Sequence, residues 1–215
     1  MLMRRWLFLA LLLVAALPLA AQYNVKKMME EGRRQLDLGY YVVAMQMFER
    51  IAAVKPNLYE AWYLSALCKY RLDDFKGAAD DGSRALALQP YVVDIFDLHG
   101  MASMRLERYD SAAIDYTRAL ELDAGNRDYW YNRAYAIYMG GDSATARTQL
   151  EFITRRWPRF AQAADLLRAV VAGVRPAPSK VPALPPGSRW TAAFPRLSDK
   201  DNRSATEWKP FAGKP

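Results

Sequence analysis

Ala44, Ala78, Ala112 and Ala146 stand 34 residues apart, and other positions repeat at the same step. Met28, Trp62, Phe96 and Trp130 form a second series, and Gly32, Ala66, Gly100 and Ala134 a third. Pro56, Pro90 and Pro158 hold a fourth, with Ala124 in the place of the missing proline. A fixed step of this length marks a stacked array in which each repeat is one supersecondary unit. Such an array shares its core between neighbours and offers an extended concave surface rather than an enclosed pocket. The step therefore constrains function as well as fold. It points to a binding module and leaves open what is bound.

Each repeat carries two helical runs. In the second repeat, Ala61, Trp62, Ser65, Ala66 and Lys69 to Leu72 keep a 3.6-residue spacing that Asp73 and Asp74 interrupt. A second run goes from Phe75 through Ala78, Ala79, Gly82, Ala85, Leu86 and Leu88 to Pro90, which lacks the N–H needed to continue. No segment alternates with period two, so strands are not expected. Small residues in the Gly32 and Ala44 series let paired helices approach closely, and Trp62 and Trp130 cover the seam. One buried aromatic per repeat contributes on the order of 3 kcal/mol. The pattern predicts first helices near 24–38, 59–72, 93–106 and 127–139, second helices near 41–54, 75–88, 109–122 and 142–156, and a capping helix near 160–173.

At these positions the chain resembles the tetratricopeptide repeat (TPR) family, whose pattern asks for an aromatic, a Leu-Gly pair, a Tyr, an Ala, an aromatic and a Pro within 34 residues. The segment from Glu60 to Tyr70 and that from Tyr129 to Tyr138 look like first helices of that family, and Tyr109 to Asp123 resembles a second helix. The register is 25–58, 59–92, 93–126 and 127–160. Departures stand out. The usual leucine is replaced by Glu31, Ser65, His99 and Arg133, and the usual tyrosine by Gln35, Lys69, Ser103 and Ile137. Met28 replaces an aromatic, and Gly82 stands where Phe or Tyr is usual. The resemblance implies an all-α fold, a right-handed superhelical solenoid of four helix-turn-helix repeats with a C-terminal capping helix. It also implies a non-catalytic protein–protein interaction scaffold that binds a protein or peptide segment in its groove, with no cofactor.

Carried over from the family, the groove positions on the first helices are Glu60, Tyr63, Leu67, Tyr70 and Arg71, then Asp94, Asp97, Met101, Met104 and Arg105, then Asp128, Tyr131, Tyr135, Tyr138 and Met139. Tyrosine and methionine left exposed there are typical of binding faces. Some family members hold a chaperone's terminal carboxylate with a Lys and Asn clamp. Met29, Arg33, Leu64, Asp94 and Leu98 occupy the corresponding places, so that clamp is missing.

The ends differ from the repeats in residues 22–173. Arg4 and Arg5 precede an apolar run from Trp6 to Leu17, and Pro18 and the pair Ala20 and Ala21 close it. This describes a signal peptide over 1–21, cut after Ala21, with an uncleaved membrane anchor as the alternative, and export to the periplasm or beyond the cell. The run is shorter than the ~20 residues of a spanning helix, so no stable membrane span is expected after cleavage. From 174 to 215, eight prolines and no periodicity describe a mostly extended tail.

Charge respects the same boundaries. Residues 22–173 hold 20 basic and 20 acidic side chains, while the tail holds 8 basic and 3 acidic ones. The net +7 is therefore no nucleic-acid groove on the repeats but largely a basic tail, suited to a membrane surface, an acidic polymer or an acidic protein face. That tail raises an alternative function: an accessory subunit of an envelope enzyme or transport system, tethered by its basic end.

Catalytic constellations are sparse. Cys68 and His99 are single and sit in packing positions, and no cluster has metal-ligand spacing. Gly140, Gly141 and Asp142 read as a helix stop and the next N-cap. Two polar pairs are predicted at a spacing of 18, Asp115 with Arg133 and Asp81 with His99, each joining a second helix to the next first helix. Glu60, Asp94 and Asp128 recur at the 34-residue step, where an acid in a helix's first turn is stabilised by ~0.3–1 kcal/mol. They also suit a basic, aromatic-bearing segment. The chain carries one itself, anchored by Trp190, Phe194, Trp208 and Phe211 beside Arg189, Arg196 and Lys209, so a tail–groove contact in cis or in trans is expected.

Overall fold

The computed structural model describes residues 25–175, and these form helices and connecting turns with no strand. Helix α1 covers 25–37, and after it come α2 (Tyr41–Val54), α3 (Tyr59–Arg71), α4 (Phe75–Leu88), α5 (Val93–Arg105), α6 (Tyr109–Leu122), α7 (Arg127–Gly140), α8 (Ser143–Arg156) and α9 (Ala161–Val171). Each end observed lies within about two residues of its expected place. The expected signal segment 1–21 and the tail anchors Trp190, Phe194, Trp208 and Phe211 lie outside the described residues.

Helices pack in chain order, and further contacts join α3 to α5 and α7 to α9. Contacts that skip a helix arise on the compressed side of a curved array. The odd-numbered helices therefore form the inner layer and the even-numbered ones the outer layer. One core runs through all repeats, from Leu36 and Phe48 through Leu64, Leu98 and Tyr116 to Leu150 and Ile153.

Inside each repeat the seam obeys a spacing of 16. A methyl group added at Gly32 would stand 2.7 Å from Phe48 Cε1, and one at Gly100 would stand 3.0 Å from Tyr116 Cε2. At the same spacing stand Ala66 with Gly82, and Ala134 with Leu150. Glycine thus faces the aromatic rings, and alanine stands opposite smaller residues.

The turns repeat as faithfully. Gly39, Asp73, Glu107 and Gly141 keep the 34-residue step and all have positive φ, at 80°, 61°, 58° and 108°. Just beyond them, the N–H groups of Tyr40, Asp74, Arg108 and Asp142 donate to the carbonyls of Gln35, Lys69, Ser103 and Ile137. This is the left-handed Schellman stop of a helix. Asp142 then caps α8 by accepting from the Thr145 N–H at 3.0 Å, as its sequence predicts. In the linkers, the Trp62 and Trp130 ring N–H groups donate to the Pro56 and Ala124 carbonyls at 2.8 and 3.0 Å.

The expected lid proves to be more regular than a lid. Helix α9 begins 34 residues after α7, and Val174 N–H donates to Ala169 O as at the ends of the other inner helices. It caps the array in the place that the first helix of a further repeat would take.

Candidate functional site

The inner layer presents the positions carried over from the sequence, with a different exposure. On α3, Tyr63 and Leu67 are buried, while Glu60, Tyr70 and Arg71 are half-buried. On α5, Asp94, Asp97, Met101 and Met104 are buried and Arg105 is exposed. On α7, Tyr131, Tyr135, Tyr138 and Met139 are buried and Asp128 is half-buried. The expectation of exposed tyrosine and methionine is corrected. Small residues at the seam draw the layers together, and the long inner side chains fill the space between successive inner helices. Tyr131, for example, meets Phe160 edge to face at 5.4 Å.

Some of these groups are already engaged. Arg33 on α1 bridges to Glu60 on α3 at 3.0 Å, which ties the first two inner helices together. Tyr70 stands edge-on to Phe75 at 5.4 Å, and the Arg105 guanidinium lies 4.1 Å above the same Phe75 ring. The Arg127 guanidinium lies 4.8 Å above Phe160. These are cation–π contacts of about 0.5–2 kcal/mol each.

Acids mark the inner face from the second repeat onward. Glu60, Asp94 and Asp128 are the second residues of α3, α5 and α7, and Asp97 comes one turn after Asp94. Asp94 and Asp97 are 6 and 4% exposed, more buried than a solvated first-turn acid needs to be. Burial raises the Asp128 carboxyl above its ordinary value, with Arg127, whose Nε is 3.5 Å away, pulling the other way. Asp128 Oδ1 is nonetheless buried without a hydrogen bond, as are the Tyr135 and Tyr138 hydroxyls. Three unsatisfied polar atoms therefore lie on one helix of this face.

The polar seam corrects the predicted pairs. Asp115 takes His99 at 2.7 Å, not Arg133. Asp81 accepts from Ser65 at 2.7 Å and Lys69 at 2.6 Å, with Arg84 on its other oxygen. Arg133 donates to Gln149 at 3.1 Å and stacks over Trp130. Ser65 with Asp81, His99 with Asp115 and Arg133 with Gln149 are all 16 apart, the spacing of the apolar seam. The antiparallel pairing within a repeat sets that spacing. Gly82 has a further consequence: its missing side chain leaves room for the His99 ring of the next repeat, 3.2 Å from where a methyl would stand.

His99 Nε2 also lies 3.0 Å from the Ser83 hydroxyl, giving a Ser83–His99–Asp115 line that the spacing of the sequence did not reveal. It resembles a nucleophile relay in order only. Ser83 sits inside α4 and its hydroxyl also bonds Ala79 O at 2.9 Å. The neighbouring N–H groups belong to the helix ladder, so they offer no oxyanion site. Cys68 is buried, and burial pushes its thiol up to about 12, which keeps it protonated. Among the described residues no group of three His, Cys, Asp or Glu could hold a metal, and no helix is long and apolar enough to cross a membrane.

Comparison with known proteins agrees with this geometry. The crystal structure of MamA superposes with a TM-score of 0.60 at 19% identity, covering 66% of this chain and 78% of that one. YrrB, a TPR protein with an unusual peptide-binding site, gives 0.63 at 18% identity, covering 68 and 75%. The first TPR of Spaghetti (RPAP3), bound to the HSP90 peptide SRMEEVD, gives 0.50 at 23% identity, covering 53 and 93%. These likenesses establish fold. No curated protein matches in sequence. The tetratricopeptide repeat family itself matches residues 29–92 and 98–158, more than half of the chain. With four repeats in one register, shared turns and shared seams, the chain belongs to the tetratricopeptide repeat family.

Proposed function

We propose that this protein is a non-catalytic interaction scaffold whose inner face, on α3, α5 and α7, takes an extended basic segment with aromatic side chains. The observation that carries this reading is the recurrence of acids at the second residue of each inner helix, Glu60, Asp94 and Asp128, in one row along that face. An extended basic peptide sets its cations along that row of carboxylates, with its aromatic rings between them.

The sign of charge selects the peptide. YrrB has a peptide-binding site, and the RPAP3 domain holds a peptide rich in acids near its end. In this chain the clamp positions hold Met29, Arg33, Leu64, Asp94 and Leu98, and the face carries acids, so the preferred segment is basic. The basic start, apolar run and small-residue end of segment 1–21 support export as the setting.

The test is fluorescence anisotropy of the full chain with a labelled peptide of alternating Arg and Trp, against a control with Glu for Arg. Asp128→Asn and Asp94→Asn each remove one carboxylate of that row and weaken binding about tenfold. Equal binding by both variants, or equal affinity for the Glu control, would overturn the reading.

A further inference from the structure

The chain leaves α9 by the same left-handed stop that ends the other inner helices, which sets its exit beside the turn of the preceding repeat. Beyond Gly173, whose φ is +67°, the Arg175 guanidinium lies against Gly141 at the α7–α8 turn, one repeat earlier. Gly140 beside it packs on Tyr109, the first residue of α6, and the charge of Arg175 acts on Tyr109. Arg175 therefore lies beside the α7–α8 turn, at the C-terminal end of α7, with Asp128 at the other end of the same helix.

The sequence beyond Arg175 matches the inner face in charge and shape. Residues 176–186 hold five prolines, a stiff spacer of about 3.1 Å per residue. Arg189-Trp190, Phe194-Pro195-Arg196 and Trp208-Lys209-Pro210-Phe211 then alternate cations with aromatic rings. The spacer reaches about 34 Å, while α7, with 14 residues, is about 21 Å long. The basic segment thus reaches the whole inner face from its point of exit.

We propose that residues 187–211 of the same chain lie along the inner face of α5 and α7, so that a partner's basic segment binds by displacing them. The proposal rests on the inner-face reading and names the first occupant of that face. It gives the scaffold a built-in competitor: the apparent affinity for any partner falls in proportion to the time the tail is docked.

Zero-length carbodiimide cross-linking of the full chain, read by mass spectrometry, tests this directly, because it joins amines to carboxylates already in contact. The expected result is cross-links from Lys200 or Lys209 to Asp94 or Asp128. Their yield is independent of protein concentration and is lost at ~1 M salt, where the Debye length falls to ~3 Å. The double substitution Arg189→Ser, Arg196→Ser in the full chain loses these cross-links and binds the unrelated Arg-Trp peptide about tenfold tighter. Cross-links confined to outer-layer acids such as Glu121 and Glu151, no cross-links at all, or a yield that rises with concentration overturn docking in cis. If the Arg-Trp peptide still binds in those cases, the inner-face reading stands and only the tail's place falls. If neither binds, both fall.

Discussion

The seam spacing of 16 makes a quantitative prediction at Gly32. Replacing glycine by alanine inside a helix ordinarily stabilises by about 0.8–1 kcal/mol. Here the new methyl would stand 2.7, 3.0 and 3.3 Å from three carbons of the Phe48 ring, where contact needs about 3.5 Å or more. Phe48 is 0% exposed, so the ring has nowhere to swing. Overpacking of this kind costs ~1–3 kcal/mol, and Gly32→Ala is expected to destabilise by roughly 1 kcal/mol net. The fourth repeat shows the remedy, since Ala134 and Leu150 hold the equivalent places and both are fully buried. Phe48→Leu alone costs ~1–2 kcal/mol. In that background Gly32→Ala becomes neutral or stabilising, which gives a coupling energy of about 1–2 kcal/mol. Urea unfolding of the full chain, monitored by helical circular dichroism at the four corners of the cycle, measures it. Additive effects within ~0.5 kcal/mol, or a Gly32→Ala chain more stable than the parent, would refute the packing argument.

The turns and the inner face each give a further expected outcome. Glu107 carries a φ of 58° where Gly39 and Gly141 occupy the same turn, a conformation costing a non-glycine residue ~1–2 kcal/mol. After the extra chain entropy of glycine, Glu107→Gly should raise the thermal midpoint by about 2–4 °C per kcal/mol gained, and an unchanged or lower midpoint would contradict the strain. Asp128 has a folded pKa raised above its unfolded value of 3.8, so the folded chain holds its proton longer. Its contribution to stability is lost as pH rises from about 4 through the raised value. Asp128→Asn should therefore be more stable than the parent at neutral pH and equal to it below about pH 4, and a stability gap that persists in acid would contradict that sign.

The helices were legible because their signals are local and repeated four times. Asp142 and Gly141 announced their turn, and Pro90 its helix end. The seam was legible only in part. The series at Gly32 and Ala66 told that helices approach closely, but not which residue faces which. A spacing of 18 and one of 16 both join a second helix to a first, and the choice depends on packing. Exposure of the inner positions was illegible for a different reason. Tyr63, Met101 and Tyr135 have the composition of a binding face, yet their burial depends on how tightly successive inner helices nest, which no single repeat records. The three unsatisfied atoms on α7 and the contact of Arg175 with Gly141 are likewise products of three dimensions.

His99 limits the interchangeability of these repeats. Seams that close inside a repeat are indifferent to order, and units joined only by them could be shuffled, duplicated or deleted. His99 instead needs its own Asp115 on one side and a predecessor bearing glycine and serine on the other, as Gly82 and Ser83 provide. Placed after the first repeat, it would meet Phe48 where it now meets Gly82, and after its own repeat it would meet Tyr116. The second and third repeats therefore form an indivisible pair, and a permuted array that separates them loses a rivet at its centre.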